Sequence, residues 1–417
     1  MFLPILQRLM ALASLVLIAV SAYLLWTWWR LHELAQAAPP GVVVDTEDWR
    51  LWVGGALMVW SLLGRMPMGL LLGRGAKNKG WLARGEAIEV ETPDGAKLAA
   101  ERTGPADAPV IVMVHGWGME RRTWNGVRAM LAKRYEVLSF DLAGLGQSSP
   151  PGDREHTVER MTDHLLPVLD LAGRRKVVLV GHSIGGMIVQ TFCVRHAERA
   201  RSQVAGIVLC NTTHEDPTRT MIAAPLWQVL KPLLKAAMWL DVALEPLFWA
   251  MNWQSYLSGS THMAMRLGGF GTRPTRNELE LVSRDATVNR PAVQAKGNLA
   301  MMRWGVTDEL PRIDRPALVF TGGRDIVTLP SAGYEISRRL QNATLRPMPE
   351  AGHLGPMELA RSYGKEIAAF ADQVLTAGAI AADRRPAEGA AAAKPPSPEP
   401  RPGAVDGVSA PPSKDPR

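Results

Sequence analysis

Four apolar residues, Val177-Val178-Leu179-Val180, run straight into Gly181-His182-Ser183-Ile184-Gly185, and a helix-like stretch follows. A buried strand that ends in G-x-S-x-G ahead of a helix predicts a sharp strand-to-helix turn with one serine at its apex. Glycine is required at 181 and 185 because side chains there would collide with the neighbouring strand and helix, and Ser183 itself would be held in strained backbone geometry. Such a turn pushes the serine hydroxyl into the open. The five residues form a short pattern that also arises by chance, so their surroundings must carry the inference.

Upstream, Val110–Val114 reads as a buried strand and enters His115-Gly116-Trp117-Gly118, a loop whose glycines let backbone amides face inward. Inward amides of this kind can supply half of an oxyanion hole. A further strand, Glu136–Phe140, leads into Asp141-Leu142-Ala143-Gly144-Leu145-Gly146-Gln147-Ser148, a D-x-x-G-x-G-x-S loop. Downstream, the buried run 317–320 ends in Thr321-Gly322-Gly323-Arg324-Asp325, and Ala351-Gly352-His353 comes later. Serine, aspartate and histidine thus follow one another in the chain, each after a buried strand or loop glycine. Residues 87–92 and 97–102 flank Pro93-Asp94-Gly95, whose Asp-Gly predicts a hairpin turn. Strands and helices alternate from there through Asn211, which predicts a mostly parallel sheet with helices on both faces.

Together these motifs resemble the α/β-hydrolase superfamily over residues 86–375. Within it the chain looks like the lid-bearing, cofactor-free serine hydrolases of the monoacylglycerol lipase and carboxylesterase type. The resemblance implies an α/β-hydrolase fold with a helical lid at about 213–310. Ser183 would be the nucleophile, His353 the base and Asp325 the acid, with the backbone amides of Trp117 and Ile184 as the oxyanion hole. In some branches the acid follows the preceding strand, which here would be Asp216. His182, beside the nucleophile, and His115, at the oxyanion loop, read as structural, and Asp141 as a tie within its own glycine loop. Glu358 and the helix near it fit the family's base loop. A serine nucleophile argues against haloalkane dehalogenase or epoxide hydrolase chemistry. Cleavage of carboxylic esters, lipophilic acyl esters such as monoacylglycerols above all, is the expected activity. Thioesterase, amidase and carbon-carbon hydrolase activities use the same motifs, and a non-catalytic binding role is the remaining alternative.

Composition removes other classes. The formal charge of +7 is dispersed, with no basic helix or basic-aromatic alternation for nucleic acid, and pairs such as Arg121-Arg122 and Arg338-Arg339 read as solvated faces. The two cysteines, Cys193 and Cys210, fall where small apolar side chains are wanted, as buried thiols. No Cys/His cluster has zinc-ligand spacing, so neither metal nor cofactor is implied.

Two apolar stretches precede the hydrolase region. Residues 10–29 form about twenty positions without a charge, enough to span a bilayer as a helix, with Tyr23, Trp26, Trp28 and Trp29 at the end that favours headgroups. A signal peptide cut after Ala35-Gln36-Ala37 is the competing reading. The second stretch, 51–73, carries Arg65; it reads as a second span, a surface helix, or a helix packed on the hydrolase domain. Asp45, Glu47 and Asp48 lie between the stretches, while Arg8 precedes them and Arg74, Lys77, Lys79 and Arg84 follow. That distribution predicts a hairpin with both ends cytoplasmic, export being the alternative. The expected organisation is a membrane anchor over 1–80, a hydrolase domain over 81–376 and a disordered Ala/Pro-rich tail over 377–417. In the first half of the lid, Trp, Met and Leu cluster, as in Met238-Trp239-Leu240 and Leu247-Phe248-Trp249. They suit packing onto the core, or an acyl pocket and contact with lipid.

Overall fold

Every apolar run of the core pairs into one eight-stranded sheet in the computed structural model, which describes residues 2–75 and 85–383. The strands are β1 (Glu86–Glu91), β2 (Lys97–Thr103), β3 (Val110–Val114), β4 (Glu136–Phe140), β5 (Val177–His182), β6 (Val204–Cys210), β7 (Ala317–Gly322) and β8 (Ala343–Met348). Their order is β1-β2-β4-β3-β5-β6-β7-β8. Antiparallel pairing is confined to the β1–β2 hairpin and the β2–β4 junction, and β4 through β8 are parallel. Gly95 turns the hairpin at φ 80°, a conformation glycine adopts freely.

The central strands are buried on both faces, which explains why they read as continuous apolar runs rather than alternating ones. Side chains still alternate between layers. Val112, Val114 and Leu179 pack with the helix Ile184–Arg195 on one face. Ile111, Met113 and Val180 pack with Trp124, Tyr363 and Ile367 on the other. Between β6 and β7 the chain leaves the sheet as a helical cap: Pro217–Thr220, Ala224–Ala243, Glu245–Leu257, Ser260–Gly269, Arg276–Val288 and Pro291–Met301. Loops at the carboxyl ends of the parallel strands therefore face the cap, where open α/β sheets place their sites.

The N-terminal apolar stretches form α1 (Phe2–Ala37), α2 (Trp49–Leu63) and α3 (Arg65–Leu72). Helix α1 is long and apolar enough to cross a membrane, and it extends well past both ends of the uncharged run. Its first turns lie on the cap: Gln7 donates to the Ala286 carbonyl at 3.1 Å, Arg8 pairs with Asp241 at 3.0 Å, and Ser14 bonds Ser258 at 2.8 Å. Farther along, Ser21 donates to the Gly54 carbonyl at 2.7 Å, so small residues let α1 and α2 approach closely. The second stretch is not one helix. It bends by 69° at Gly64 and Arg65, after which α3 lies against the cap. The bend keeps the charge out of an apolar span: the Arg65 guanidinium donates to the Tyr256 hydroxyl at 2.9 Å and lies 3.6 Å from Glu280. Arg273 then caps the end of α3 by donating to the carbonyls of Leu71 and Gly73 at 2.7 and 3.0 Å.

At the other end, the last helix runs Ala360–Asp383, past residue 376, where the sequence places the start of the tail. Alanines in 377–383 favour continuing it. Lys77, Lys79, Arg84 and residues 384–417 lie outside the described residues. One compact unit, Met1–Gly378, holds the sheet, cap and N-terminal helices.

Gly64 is where the hairpin meets the cap, since a Cβ there would stand 2.5 Å from the Ser258 carbonyl oxygen. Gly64→Ala should lower the midpoint of thermal unfolding in detergent. Gly55→Ala, whose Cβ would meet nothing within 4 Å, should leave it unchanged or raise it.

Candidate active site

Ser183 sits between β5 and the helix Ile184–Arg195 at φ 54°, ψ −120°, a region that costs a non-glycine residue roughly 1–3 kcal/mol. The surroundings over-determine this conformation. Its amide donates to the Cys210 carbonyl at 3.0 Å, and its carbonyl accepts from Thr212 Oγ1 at 2.6 Å and from the Gly186 amide at 2.9 Å. The flanking glycines are obligatory: a Cβ on Gly181 would lie 2.3 Å from the Gly185 carbonyl oxygen, and one on Gly185 would lie 2.3 Å from that of Val114.

His353 Nε2 lies 3.0 Å from Ser183 Oγ, and its Nδ1 lies 3.0 Å from Asp325 Oδ2. Asp325 follows β7 and is fully enclosed. Burial alone would raise its pKa, but the His353 imidazole and hydrogen bonds from the Thr328 amide and hydroxyl outweigh it and hold the carboxyl below the usual range. Oδ1 accepts from the Val327 and Thr328 amides at 2.8 and 2.9 Å. Oδ2 accepts from Thr328 Oγ1 at 2.7 Å and from Asn211 Nδ2 at 3.2 Å. Asp216 is occupied elsewhere, capping Pro217–Thr220 through the Thr218 amide at 2.9 Å and pairing with Lys231.

Two residues that the sequence does not single out, Asn211 and Thr328, help to hold this arrangement. Asn211 also donates to the Gly352 carbonyl at 2.9 Å and accepts from the Tyr363 hydroxyl at 2.8 Å, linking the acid loop to the base loop. Thr328 serves Asp325 as above. Trp117 is anticipated only for its amide, yet its indole donates to the Gln294 carbonyl at 3.1 Å and locks the loop to the cap. Gly297 makes room for that ring, since a Cβ there would approach it to 1.9 Å. Glu358 accepts from the amides of Gly271 and Thr272 at 3.3 and 2.8 Å and from that of Gly352 at 2.5 Å, clamping the base loop to the cap.

The remaining histidines scaffold the loops. His182 donates from Nε2 to the His353 carbonyl at 2.8 Å, and burial, with the adjacent His353, pushes its pKa down to about 3. His115 donates to the Gly116 carbonyl at 2.8 Å and accepts from the Leu142 amide at 2.9 Å; burial lowers its pKa too. Asp141 gathers the amides of Arg121 and Gln147 at 2.7 and 2.9 Å, tying the glycine loop. Both cysteines are buried thiols, and burial pushes Cys193 up to about 12.

The amides of Trp117 and Ile184 have no protein acceptor among the described residues. Trp117 and Ser183 line one cavity of about 60 Å³, shared with His353, Met187 and Thr213. Leu3, Pro4 and Gln7 of α1 line it as well. Nothing in the sequence motifs signals that last contact.

His156 packs edge-on against Trp117 at 5.9 Å, neither ring nitrogen has a partner among the described residues, and burial pushes its pKa down to about 4. Below about pH 6.5 the unfolded chain takes up protons that the folded chain refuses at His156 and His182, so stability falls as pH drops toward 4. His156→Phe should flatten the decline of the thermal midpoint between pH 6.5 and 4. An undiminished slope would contradict this assignment.

With the geometry in place, comparisons with known proteins locate the chain. A family model described as alpha/beta hydrolase fold matches residues 109–359. A pimeloyl-[acyl-carrier protein] methyl ester esterase of Aeromonas hydrophila is 32% identical over 107 residues, which cover 26% of this chain and 40% of that protein. A Bacillus subtilis (strain 168) protein bearing the provisional name 2-succinyl-6-hydroxy-2,4-cyclohexadiene-1-carboxylate synthase is 26% identical over 294 residues, 68% of this chain and 97% of its own length. Among solved structures, an esterase of Thermogutta terrifontis is similar at a TM-score of 0.56 and 25% identity, covering 69% of this chain and 99% of its own. The chain belongs to the α/β-hydrolase fold family, with esterases among its relatives.

Proposed function

We propose that this protein is a membrane-anchored serine hydrolase that cleaves lipophilic carboxylic esters. The observation that carries the reading is the continuous line of hydrogen bonds Ser183–His353–Asp325, at 3.0 Å in both steps, with Ser183, His353 and Trp117 lining one cavity. In this reading Ser183 Oγ bonds to the ester carbonyl carbon while its proton passes to His353 Nε2. Asp325 fixes the tautomer with hydrogen on Nδ1 and offsets the imidazolium charge. The carbonyl oxygen, now an oxyanion, takes hydrogen bonds from the Ile184 and Trp117 amides, each worth about 3 kcal/mol. Collapse expels the alcohol, which receives the proton from Nε2. Water then attacks the acyl-enzyme, gives its proton to the same nitrogen, and the acid leaves as Ser183 recovers its hydrogen.

Apolar exposure supports the membrane part. Trp26, Trp29, Trp52 and Leu63 on the hairpin and Val229, Leu233, Trp239 and Leu247 on the cap all face outward. Such an extent of exposed apolar surface marks a membrane or partner interface. The contacts of Gln7 and Arg8 with the cap favour an anchor kept in the mature enzyme over a cleaved leader. Acidic residues at the hairpin tip, with Arg8 and Arg74 at the cap end, favour a cytoplasmic catalytic domain. Protease added outside intact spheroplasts should spare that domain, and its digestion there would reverse the orientation.

The activity test is hydrolysis of p-nitrophenyl esters in mild detergent. Ser183→Ala should lower kcat by about 10⁴-fold or more. Asp325→Asn should cost about 10⁴-fold through the wrong imidazole tautomer, with Asp216→Asn falling far less. Equal losses at the two aspartates would overturn the choice of acid. Wild-type turnover that survives in Ser183→Ala would overturn the mechanism.

A further inference from the structure

The cavity at Ser183 is too small for a lipid. Its volume of about 60 Å³ holds only a few water molecules. Next to it lies a chamber of about 290 Å³, walled on one side by α1 and on the other by the cap helices Ala224–Ala243 and Glu245–Leu257. The two spaces share a wall made of Pro4, Gln7, Gln294 and Asn298.

Three side-chain amides stand in that shared wall. Gln7 and Gln294 both donate to the Ala286 carbonyl, at 3.1 and 3.2 Å, and Asn298, only 3% exposed, has no partner for Oδ1 among the described residues. The chamber itself is apolar, with Ile5, Leu9, Leu12, Met238, Phe248 and Met251 among its lining. Its charges are matched to one another: Arg8 pairs with Asp241 at 3.0 Å and donates to Asn252 at 2.9 Å. Leu9, Leu12 and Leu240 are 56, 52 and 48% exposed while lining the chamber, so its mouth opens on the outward apolar face between α1 and the cap.

We propose that the anchor helix is part of the substrate site. A single-chain amphiphilic ester enters from the bilayer between α1 and the cap, lays its acyl chain in this chamber, and presents its ester group across the amide-lined wall to Ser183. This rests on the reading of Ser183 as the nucleophile. One chamber takes one chain, so single-chain lipids are the substrate class, ahead of esters with two packed chains.

The test compares kcat/KM for p-nitrophenyl esters of two-, eight- and sixteen-carbon acids, using the full chain in mild detergent. Leu9→Trp and Ala237→Trp place bulk at exposed positions of the chamber wall, where folding tolerates it. Each should lower the ratio of long-chain to two-carbon activity by about tenfold or more, as loss of several apolar contacts would. Trp29→Ala, exposed at the far end of α1, should leave the ratio at the wild-type value. Ser183-dependent turnover with a wild-type ratio in both chamber variants would overturn the proposal while leaving the hydrolase reading intact. Absence of Ser183-dependent turnover in the wild-type protein would remove both.

Discussion

The backbone of Ser183 is the constraint from which the rest of the site follows. A serine at φ 54° has no reason to stay there unless strand, helix and neighbouring loops leave no alternative. The glycines at 181 and 185 let the helix Ile184–Arg195 come within van der Waals reach of β5 and β3, and the carbonyl of Ser183 is pinned by Thr212 from the end of β6. That compression lifts Oγ out of the sheet and toward His353. His353 and Asp325 then need only loops of the right length after β8 and β7. Strain at one residue is thus balanced by contacts from β3, β6 and the helix Ile184–Arg195, which is why substitutions around the turn should act as a unit.

The N-terminal helices change what the cap is. In a soluble hydrolase a cap need only cover the core; here its helices also carry the first turns of α1, and the small residues Ala11, Ser14, Gly54, Ser61 and Gly64 let α1 and α2 close on each other and on the cap. Helix α1 and the cap consequently share one outward apolar surface and one internal chamber. Leu3, Pro4 and Gln7 of α1 line the cavity at Ser183, so this helix does more than precede the hydrolase fold. Polar contacts at the bend, where Arg65 meets Tyr256 and Glu280, let the chain turn from the hairpin onto the cap without stranding a charge.

Much of this was legible in the sequence because its causes are local. The buried strands announce themselves as short apolar runs, the turn at Ser183 requires its glycines in sequence, and the order Ser183, Asp325, His353 follows from strand order. What was not legible depends on distant packing. Asn211 looks like an ordinary strand-end residue until Gly352 and Asp325 are brought to it. The apolar stretch at 51–73 hides its break, since Gly64 turns the chain only because the Ser258 carbonyl must come close. The role of Gln7 could not be read from the sequence, because it lies ahead of the uncharged run at 10–29 and nothing local marks which turns of the helix face the cap. The helix ending at Asp383 outlasts the predicted domain because alanine propagates a helix that tertiary contacts have already started.

Covalent titration with a fluorophosphonate, followed by mass spectrometry of the intact protein, decides whether Ser183 is an activated nucleophile. One phosphonyl group per chain is expected, joined to Ser183 Oγ with loss of fluoride, and much slower labelling in His353→Gln. No adduct on Ser183, or labelling that proceeds equally in Ser183→Ala, would contradict it.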